Sequence, residues 1–346
     1  MISLSFLANK FLRNYLCTCI GLVLCLSGVG AARAQGQDDP VERVETNLVR
    51  LNVGVADRKG YAVTNLSPAD FVVYEDGVRQ NITSFEPSLA PFSLVLLLDV
   101  SGSTLNFRTT LRQTALRFID ALGPEDRVAV VSFNDKVKTL TDFTADRRKI
   151  AFAIAEMTDG RGNTDFYKAL RHALSQLDKE GQRRKAIVVL TDGVDTNLRR
   201  EDGAATAGAS TNEEAIAAVK PAENNTVRAV LDAADRQGVT IYPLALPSGD
   251  PKKMLPLTPQ QAAIYASART RMQTLADRTG GRIHEINRLE DIGRLYAEVA
   301  ADMRTLYSIT YRPSGERPRD GKWRAINIEI SRAELIARTR PGYFAR

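Results

Sequence analysis

The sequence predicts an α/β protein: a doubly wound, mostly parallel sheet, inserted in or flanked by a small β-sandwich. Three observations carry the prediction. Between residues 91 and 305, apolar runs of strand length alternate with segments of helical period, the pattern of a parallel sheet covered on both faces. Two of the runs, Phe92–Val100 and Lys185–Thr191, are almost wholly apolar, as strands buried on both faces must be. On either side of this block, residues 46–90 and 306–346 have a β texture with turn signals and no helical period.

The elements follow in order. "NLVRLNVGVAD" (47–57) alternates apolar and polar residues, "RKGYAV" supplies a turn, and "DFVVYEDGVRQNITSFE" reads as a hairpin around Asp76-Gly77. After the strand Phe92–Val100 come a helix over Phe107–Ala121, a strand over Arg127–Phe133, and helices over Arg147–Met157 and Asp165–Asp178. The strand Lys185–Thr191 is followed by a helix over Thr226–Gln237 and a strand over Thr240–Ala245. A helix over Gln260–Asp277, a short strand over Gly281–Glu285 and a helix over Leu289–Thr305 close the block. Asn197–Asn225, rich in Ala, Gly, Glu and Asn, and Pro247–Pro259, rich in Pro and Lys, read as surface loops on composition. Arg183-Arg184-Lys185 reads as a solvated approach to a strand. From Leu306 the segments "LYSITYRP", "KWRAINIEI" and "ARTRPGYF" are strands. Neither β piece alone has enough strands for a core, so the economical reading pairs them into one sandwich; two unrelated flanking pieces are the alternative.

The first 34 residues form a separate unit. Lys10 and Arg13 precede an uncharged apolar stretch from Tyr15 to Gly30, and Ala32-Arg33-Ala34 supplies a small-residue cleavage site, with Gln35 as mature start. This is the pattern of a secretory signal peptide; an uncleaved anchor is the alternative. Leu24 makes a poor lipobox before Cys25. Residues 35–45 read as a flexible N-terminus. Cys17, Cys19 and Cys25 all lie in the leader, so the mature chain offers no disulfide and no thiol ligand. Of the +6 net charge, three positive charges belong to the leader, and no basic run with interleaved aromatics follows, which argues against nucleic acid. No later stretch approaches the length of a membrane-spanning helix, so membrane insertion after cleavage is not expected. The expected location is secreted or periplasmic, within the cell envelope.

Chemistry is concentrated at strand ends. In "LLLDVSGST" Asp99 ends an apolar strand and the chain turns through Ser101, Gly102 and Ser103 into a helix. A carboxylate and hydroxyls at alternating positions on one tight loop can converge on a hard cation such as Mg²⁺. The carboxyl end of a strand is where doubly wound sheets bind ligands. "DGRGNTDF" offers Thr164 and Asp165 before a helix, and "VVLTDG" ends the second buried strand with Asp192. Each motif alone is weak, and Asp99 alone could simply cap the next helix. Their order and context carry the signal.

These three segments resemble the von Willebrand factor A (VWA) family, whose domain is Rossmann-like. The resemblance covers about residues 91–305 and includes "LADRTGGRIHEI" (275–286) as a late helix–strand step. It implies a metal-ion-dependent adhesion site (MIDAS) in which Asp99, Ser101, Ser103, Thr164 and Asp192 hold a metal, Mg²⁺ first, with Mn²⁺ or Ca²⁺ as alternatives. Asp165 then reads as a capping or supporting residue. The bracketing β texture and the ending "RPGYF" resemble, less specifically, a VWA-related group of exported bacterial proteins of acidobacterial type. With only two carboxylates among neutral ligands, the metal keeps positive character, and a Glu or Asp of a protein partner completes its coordination. The expected role is adhesion or complex assembly, with a shift of the last helix as a means of regulation by analogy with the family. Arg199-Arg200 either flanks that face and favours an acidic partner or lies in an ordinary loop.

Catalysis is not expected. A phosphatase of the haloacid-dehalogenase type needs a second acid two residues after Asp99, where Ser101 stands. No Walker A loop, GxSxG elbow or HExxH motif is present. His172 reads as a helix-surface residue and His284 as structural. A metal-free scaffold of an envelope complex is the main alternative and a metal-dependent hydrolase the more distant one. Cytoplasmic VWA subunits of chelatase or AAA-type machines are disfavoured by the leader.

Overall fold

The computed structural model describes residues 48–345 except 60, 88–89, 158–159, 161, 182, 248–255 and 315–319. The predicted signal peptide, the flexible N-terminus and the three cysteines lie outside the described residues, as does most of the predicted loop at 247–259. Among the described residues no helix is long and apolar enough to cross a membrane.

In chain order the elements are β1 (Val49–Asp57), β2 (Phe71–Glu75), β3 (Val78–Gln80), β4 (Ile82–Glu86), β5 (Phe92–Asp99), α1 (Arg108–Ala121), β6 (Arg127–Phe133), β7 (Val137–Thr144), α2 (Arg147–Ala155), α3 (Phe166–Asp178) and β8 (Arg184–Thr191). Then come α4 (Thr196–Ala205), α5 (Asn212–Ala218), α6 (Asn225–Gln237), β9 (Val239–Ala245), α7 (Pro259–Thr279), β10 (His284–Glu285), α8 (Ile292–Thr305), β11 (Leu306–Tyr311), β12 (Trp323–Ile330), β13 (Leu335–Arg338) and β14 (Gly342–Phe344).

The central sheet has the order β10-β9-β8-β5-β6-β7, parallel except for the β6–β7 pair. Every residue of β5 and β8 is buried, because helices cover both faces. Alternate residues feed two cores. Leu94, Leu96 and Leu98 face Phe118 of α1 and Tyr296 of α8, while Val95 and Leu97 share a core with Leu170 of α3, Leu231 of α6 and Met272 of α7.

Two sequence expectations are corrected here. β7 falls where no element was expected: only Val137, Leu140 and Phe143 reach a core, and the Thr-rich remainder of this edge strand carries little apolar signal. Asn197–Asn225 is not a surface loop but holds α4 and α5. Asp195 caps α4 by accepting from the Asn197 and Leu198 amides. Thr211 and Glu214 form a capping box at α5, and the Ala-rich run between such caps favours helix. Ala215 packs on Ala263 of α7. Asp202 of α4 takes both guanidinium nitrogens of Arg271 at 2.7 Å, with both side chains buried.

The two flanking β pieces pair with each other. β1 runs antiparallel to β11, and β2 to β12, giving sheets of order β13-β1-β11-β4 and β14-β12-β2-β3. Leu51, Val53, Phe71, Val73, Tyr307 and Ile309 form their shared core. Buried Glu75 accepts hydrogen bonds from Tyr311 (2.7 Å) of one sheet and Tyr343 (3.0 Å) of the other. The β2–β3 hairpin turns on Asp76 and Gly77, both with positive φ (49° and 79°), as a type I′ turn requires. "ARTRPGYF" is two strands rather than one: Arg340 turns inward to Asp235 of α6 (3.0 Å), and Pro341 has no amide to continue a ladder.

The sandwich meets the α/β part at the starts of the parallel strands. Asn52 donates to Thr240 Oγ1 (2.7 Å) and Gly238 O (3.0 Å), and Arg338 pairs with Asp302 of α8 through both carboxylate oxygens (2.9 and 3.0 Å). Arg184, expected in solvent, is buried there over the Phe92 ring and donates to Ala90 O and Met303 O. The carboxyl ends of the strands lie on the opposite side, away from the sandwich.

Candidate metal centre

Three loops converge at the carboxyl ends of β5 and β8. The first follows β5 and carries Asp99, Ser101 and Ser103, the second precedes α3 and carries Thr164, and the third follows β8 and carries Asp192. Asp99 is fully buried, with Ser101, Thr164 and Asp192 nearly so, and Ser103 is exposed. Asp99 Oδ1 accepts from the Ser101 amide (2.9 Å) and Oδ2 from Thr191 Oγ1 (2.6 Å). The Ser101 and Ser103 hydroxyls lie 3.1 Å apart. Asp192 Oδ1 accepts from the Val194 amide (3.0 Å), and the Ser103 hydroxyl also hydrogen-bonds its carboxylate.

Four of the five predicted residues are thus joined by direct contacts or by charge. Thr164 enters differently. Its amide donates to Thr196 Oγ1 (2.9 Å), its carbonyl accepts from the Thr196 amide (2.9 Å), and among the described residues its side chain makes no hydrogen bond to the other four. Asp165 stands at the N-cap of α3 without a capping bond from its carboxylate and has Lys168 at 3.6 Å.

The loops are fastened in pairs by residues that the sequence reading missed. Arg108, buried in the first turn of α1, donates through Nη2 to Val100 O, Ser101 O (2.9 Å) and Gly160 O (2.8 Å), tying the first loop to the second. Thr196 ties the second to the third, and Asp195 adds a bond from the Tyr167 amide (3.2 Å). Thr191 ties the third to the first. Gly160 is a requirement of this fit, because a Cβ there would stand 2.7 Å from both Val100 O and Asn134 Nδ2. Nothing in the spacing of Arg108 or Thr196 announced a role. Thr191 sits inside the "TDG" motif and could have been flagged by its adjacency to Asp192.

Electrostatics identify what this arrangement lacks. Burial, then the nearby charge of Asp192, pushes the Asp99 carboxyl up to about 6, against the bonds from Ser101 and Thr191. Burial likewise raises Asp192, opposed by the Val194 amide, Ser103 and the more distant charge of Arg269. Among the described residues the groups bonded to either carboxylate are all neutral, so the pair's negative charge has no bonded counter-ion there. Two carboxylates with neutral hydroxyls make an all-oxygen set that fits a hard divalent cation. Among the described residues no group of three His, Cys, Asp or Glu gathers at any point, this one included, so a cation here would depend on hydroxyl oxygens for its remaining ligands.

The histidines stand apart from this site. His172 Nε2 shares hydrogen bonds with Thr139 (2.9 Å) and Gln176 (3.1 Å), and His284 Nδ1 lies 3.6 Å from Glu298.

Residues 94–194, the stretch that carries all three loops, match the family model of the von Willebrand factor type A domain. The human voltage-dependent calcium channel subunit alpha-2/delta-2 is 27% identical over 127 residues, which is 34% of this chain and 11% of that protein; the chain thus spans about a tenth of the relatives it matches. Among solved structures, a von Willebrand factor type A protein from Catenulispora acidiphila is similar at 12% identity, covering 86% of this chain and 73% of that one, with a TM-score of 0.44. Proximal thread matrix protein 1 from the mussel byssus, in a structure with a zinc-occupied MIDAS motif, is 14% identical over 65% of this chain and 49% of that one, also with a TM-score of 0.44.

Proposed function

We propose that this chain is an exported binding protein that docks an acidic protein partner through a divalent cation held by Asp99, Ser101, Ser103, Thr164 and Asp192. The observation that carries the reading is the buried Asp99–Asp192 pair, whose bonded partners among the described residues are all neutral, on loops already fastened to one another. Such a pair is unfavourable without a counter-charge and favourable with one. The three ties between the loops mean that little ordering remains when a cation binds, which favours affinity.

Each residue has a definite part. Asp99 and Asp192 supply the negative charge. Ser101, Ser103 and Thr164 supply neutral oxygen, so the charge of a divalent cation is not exceeded. Thr191 and the Ser101 amide hold the Asp99 carboxylate in one orientation. The bound cation supplies a positive docking point with room for a Glu or Asp of the partner. Mg²⁺ is the first choice for an all-oxygen set, with Mn²⁺ and Ca²⁺ as alternatives. Among the described residues no His, Cys or Lys stands bonded to these five as a base or nucleophile, and the role proposed is binding rather than catalysis, in adhesion or complex assembly outside the cytoplasm.

The test is calorimetric titration of Mg²⁺ into the chain from Gln35 onward, with Asp99→Ala alongside. Saturable binding that the substitution abolishes is the expected result. Absence of binding at millimolar Mg²⁺ in the unsubstituted protein would overturn the reading in favour of a metal-free scaffold.

A further inference from the structure

Arg269 stands on α7 beside the third loop. One turn further along the helix, Met272 packs so closely under Gly193 that a Cβ there would lie 2.5 Å from Met272 Cε, so this face of α7 looks onto the Asp192 loop. Arg269 Nη2 donates a long bond (3.4 Å) to Leu246 O, and the Leu246 amide bonds Thr191 O (2.9 Å), the residue before Asp192. Arg269 Nη1 lies 3.2 Å from Glu285 Oε2 of β10, yet this enclosed nitrogen makes no hydrogen bond among the described residues. The Arg269 side chain as a whole is about one-third exposed (32%) and that of Glu285 about half (49%). A cation with unspent donor capacity is therefore held loosely next to the candidate site, near Asp192 but not bonded to it. Asp192 already feels this charge through space.

We infer that Arg269 is a tethered cation that competes with the divalent metal for the charge of Asp192, and that Glu285 sets the strength of the competition by drawing the guanidinium aside. The inference rests on the metal-dependent reading above. Like charges repel in proportion to their product, so a dication near Arg269 is opposed twice as strongly as a monovalent ion, less the screening due to solvent. A partner carboxylate that pairs with Arg269 removes the opposition, so partner and metal reinforce each other's binding by the same factor.

The test titrates Mg²⁺ into the full chain from Gln35 at low ionic strength. The variants are Arg269→Met, Arg269→Lys, Glu285→Gln and Asp99→Ala, each checked for a cooperative unfolding transition. Arg269→Met should bind Mg²⁺ about fivefold more tightly than the unsubstituted protein, and Arg269→Lys about equally. Glu285→Gln, which frees the guanidinium, should bind about threefold more weakly. The gap between Arg269→Met and the unsubstituted protein should shrink in about 0.5 M salt, where the screening length falls to a few ångströms. If the Arg269→Met variant does not fold, Glu285→Gln decides alone, and unchanged or tighter binding by it overturns the competition. Unchanged or weaker binding by Arg269→Met, with Asp99→Ala still abolishing it, would overturn the competition and leave the metal site standing. No binding by any variant, Arg269→Met included, would remove both.

Discussion

Asp99 is fully buried beside Asp192, so in metal-free protein the substitution Asp99→Asn should raise stability rather than lower it. A carboxyl whose pKa rises from 3.8 to about 6 on folding costs the folded, ionised protein about 3 kcal/mol. The sign follows from proton uptake. The folded state binds the proton more tightly, so the cost is fully present above pH 6 and fades as the pH falls towards 4. The carboxamide introduced by Asp99→Asn can still accept from the Ser101 amide, but the Thr191 hydroxyl loses its charged acceptor, which takes back about 1 kcal/mol. The net expectation at pH 7.5 in EDTA is a gain of about 2 kcal/mol, read from urea unfolding. Saturating Mg²⁺ should reverse the order. At a hundred times its Kd it stabilises the unsubstituted protein by about 2.7 kcal/mol and the variant hardly at all. A variant that is less stable than the parent in EDTA, or that gains as much from Mg²⁺, would refute this account of the acid pair.

Three further outcomes are expected. Asp202→Asn should cost about 3–5 kcal/mol in urea unfolding, because it strands the buried Arg271, whereas Asp202→Leu with Arg271→Met should recover most of that loss. Gly160→Ala should lose about 1–3 kcal/mol and weaken Mg²⁺ binding in calorimetry, since a backbone carbonyl, Val100 O, blocks the new methyl. His284 is lowered from 6.5, first by burial and then by Arg282 and Arg338, despite Glu298 and Asp302. Its unfolded form therefore takes up the proton first, and stability should fall as the pH drops below 6.5. In His284→Gln that slope should be missing from unfolding midpoints measured across this range.

The fold was readable where burial wrote itself into the sequence. β5 and β8 are buried on both faces, so their runs are almost wholly apolar, and β6 is matched residue for residue. β7 was not readable because one of its faces meets solvent and threonines fill the gaps. The helices α4 and α5 were hidden by a composition that suits loops as well as helices, although the Thr211–Glu214 capping box was visible. At the candidate site the four residues that contact or charge bring together, Asp99, Ser101, Ser103 and Asp192, were legible, because strand ends and motif order locate them. The residues that hold the loops together were not. Arg108 acts through carbonyl oxygens of distant segments, and such bonds depend on the backbone's path rather than on partner identity.

The pairing of β1 with β11 has a consequence for how the chain reaches its native state. Val49 meets Tyr311, and Thr339 donates to Asn52 O across 287 residues of chain. The parallel sheet and its helices lie wholly between these partners. Contact order leads one to expect that inner part to gather its contacts first, with β1 and β4 unpaired until β11 is available and β2 without β12. Long-range pairing of this kind makes closure slow, and open strand edges invite association with other chains in the meantime. A chain cut short after α8 would keep every residue of the candidate site and still leave β1 and β4 without the strand that separates them. Residues 306–346 thus act as the seal on a fold whose candidate site lies at its other end.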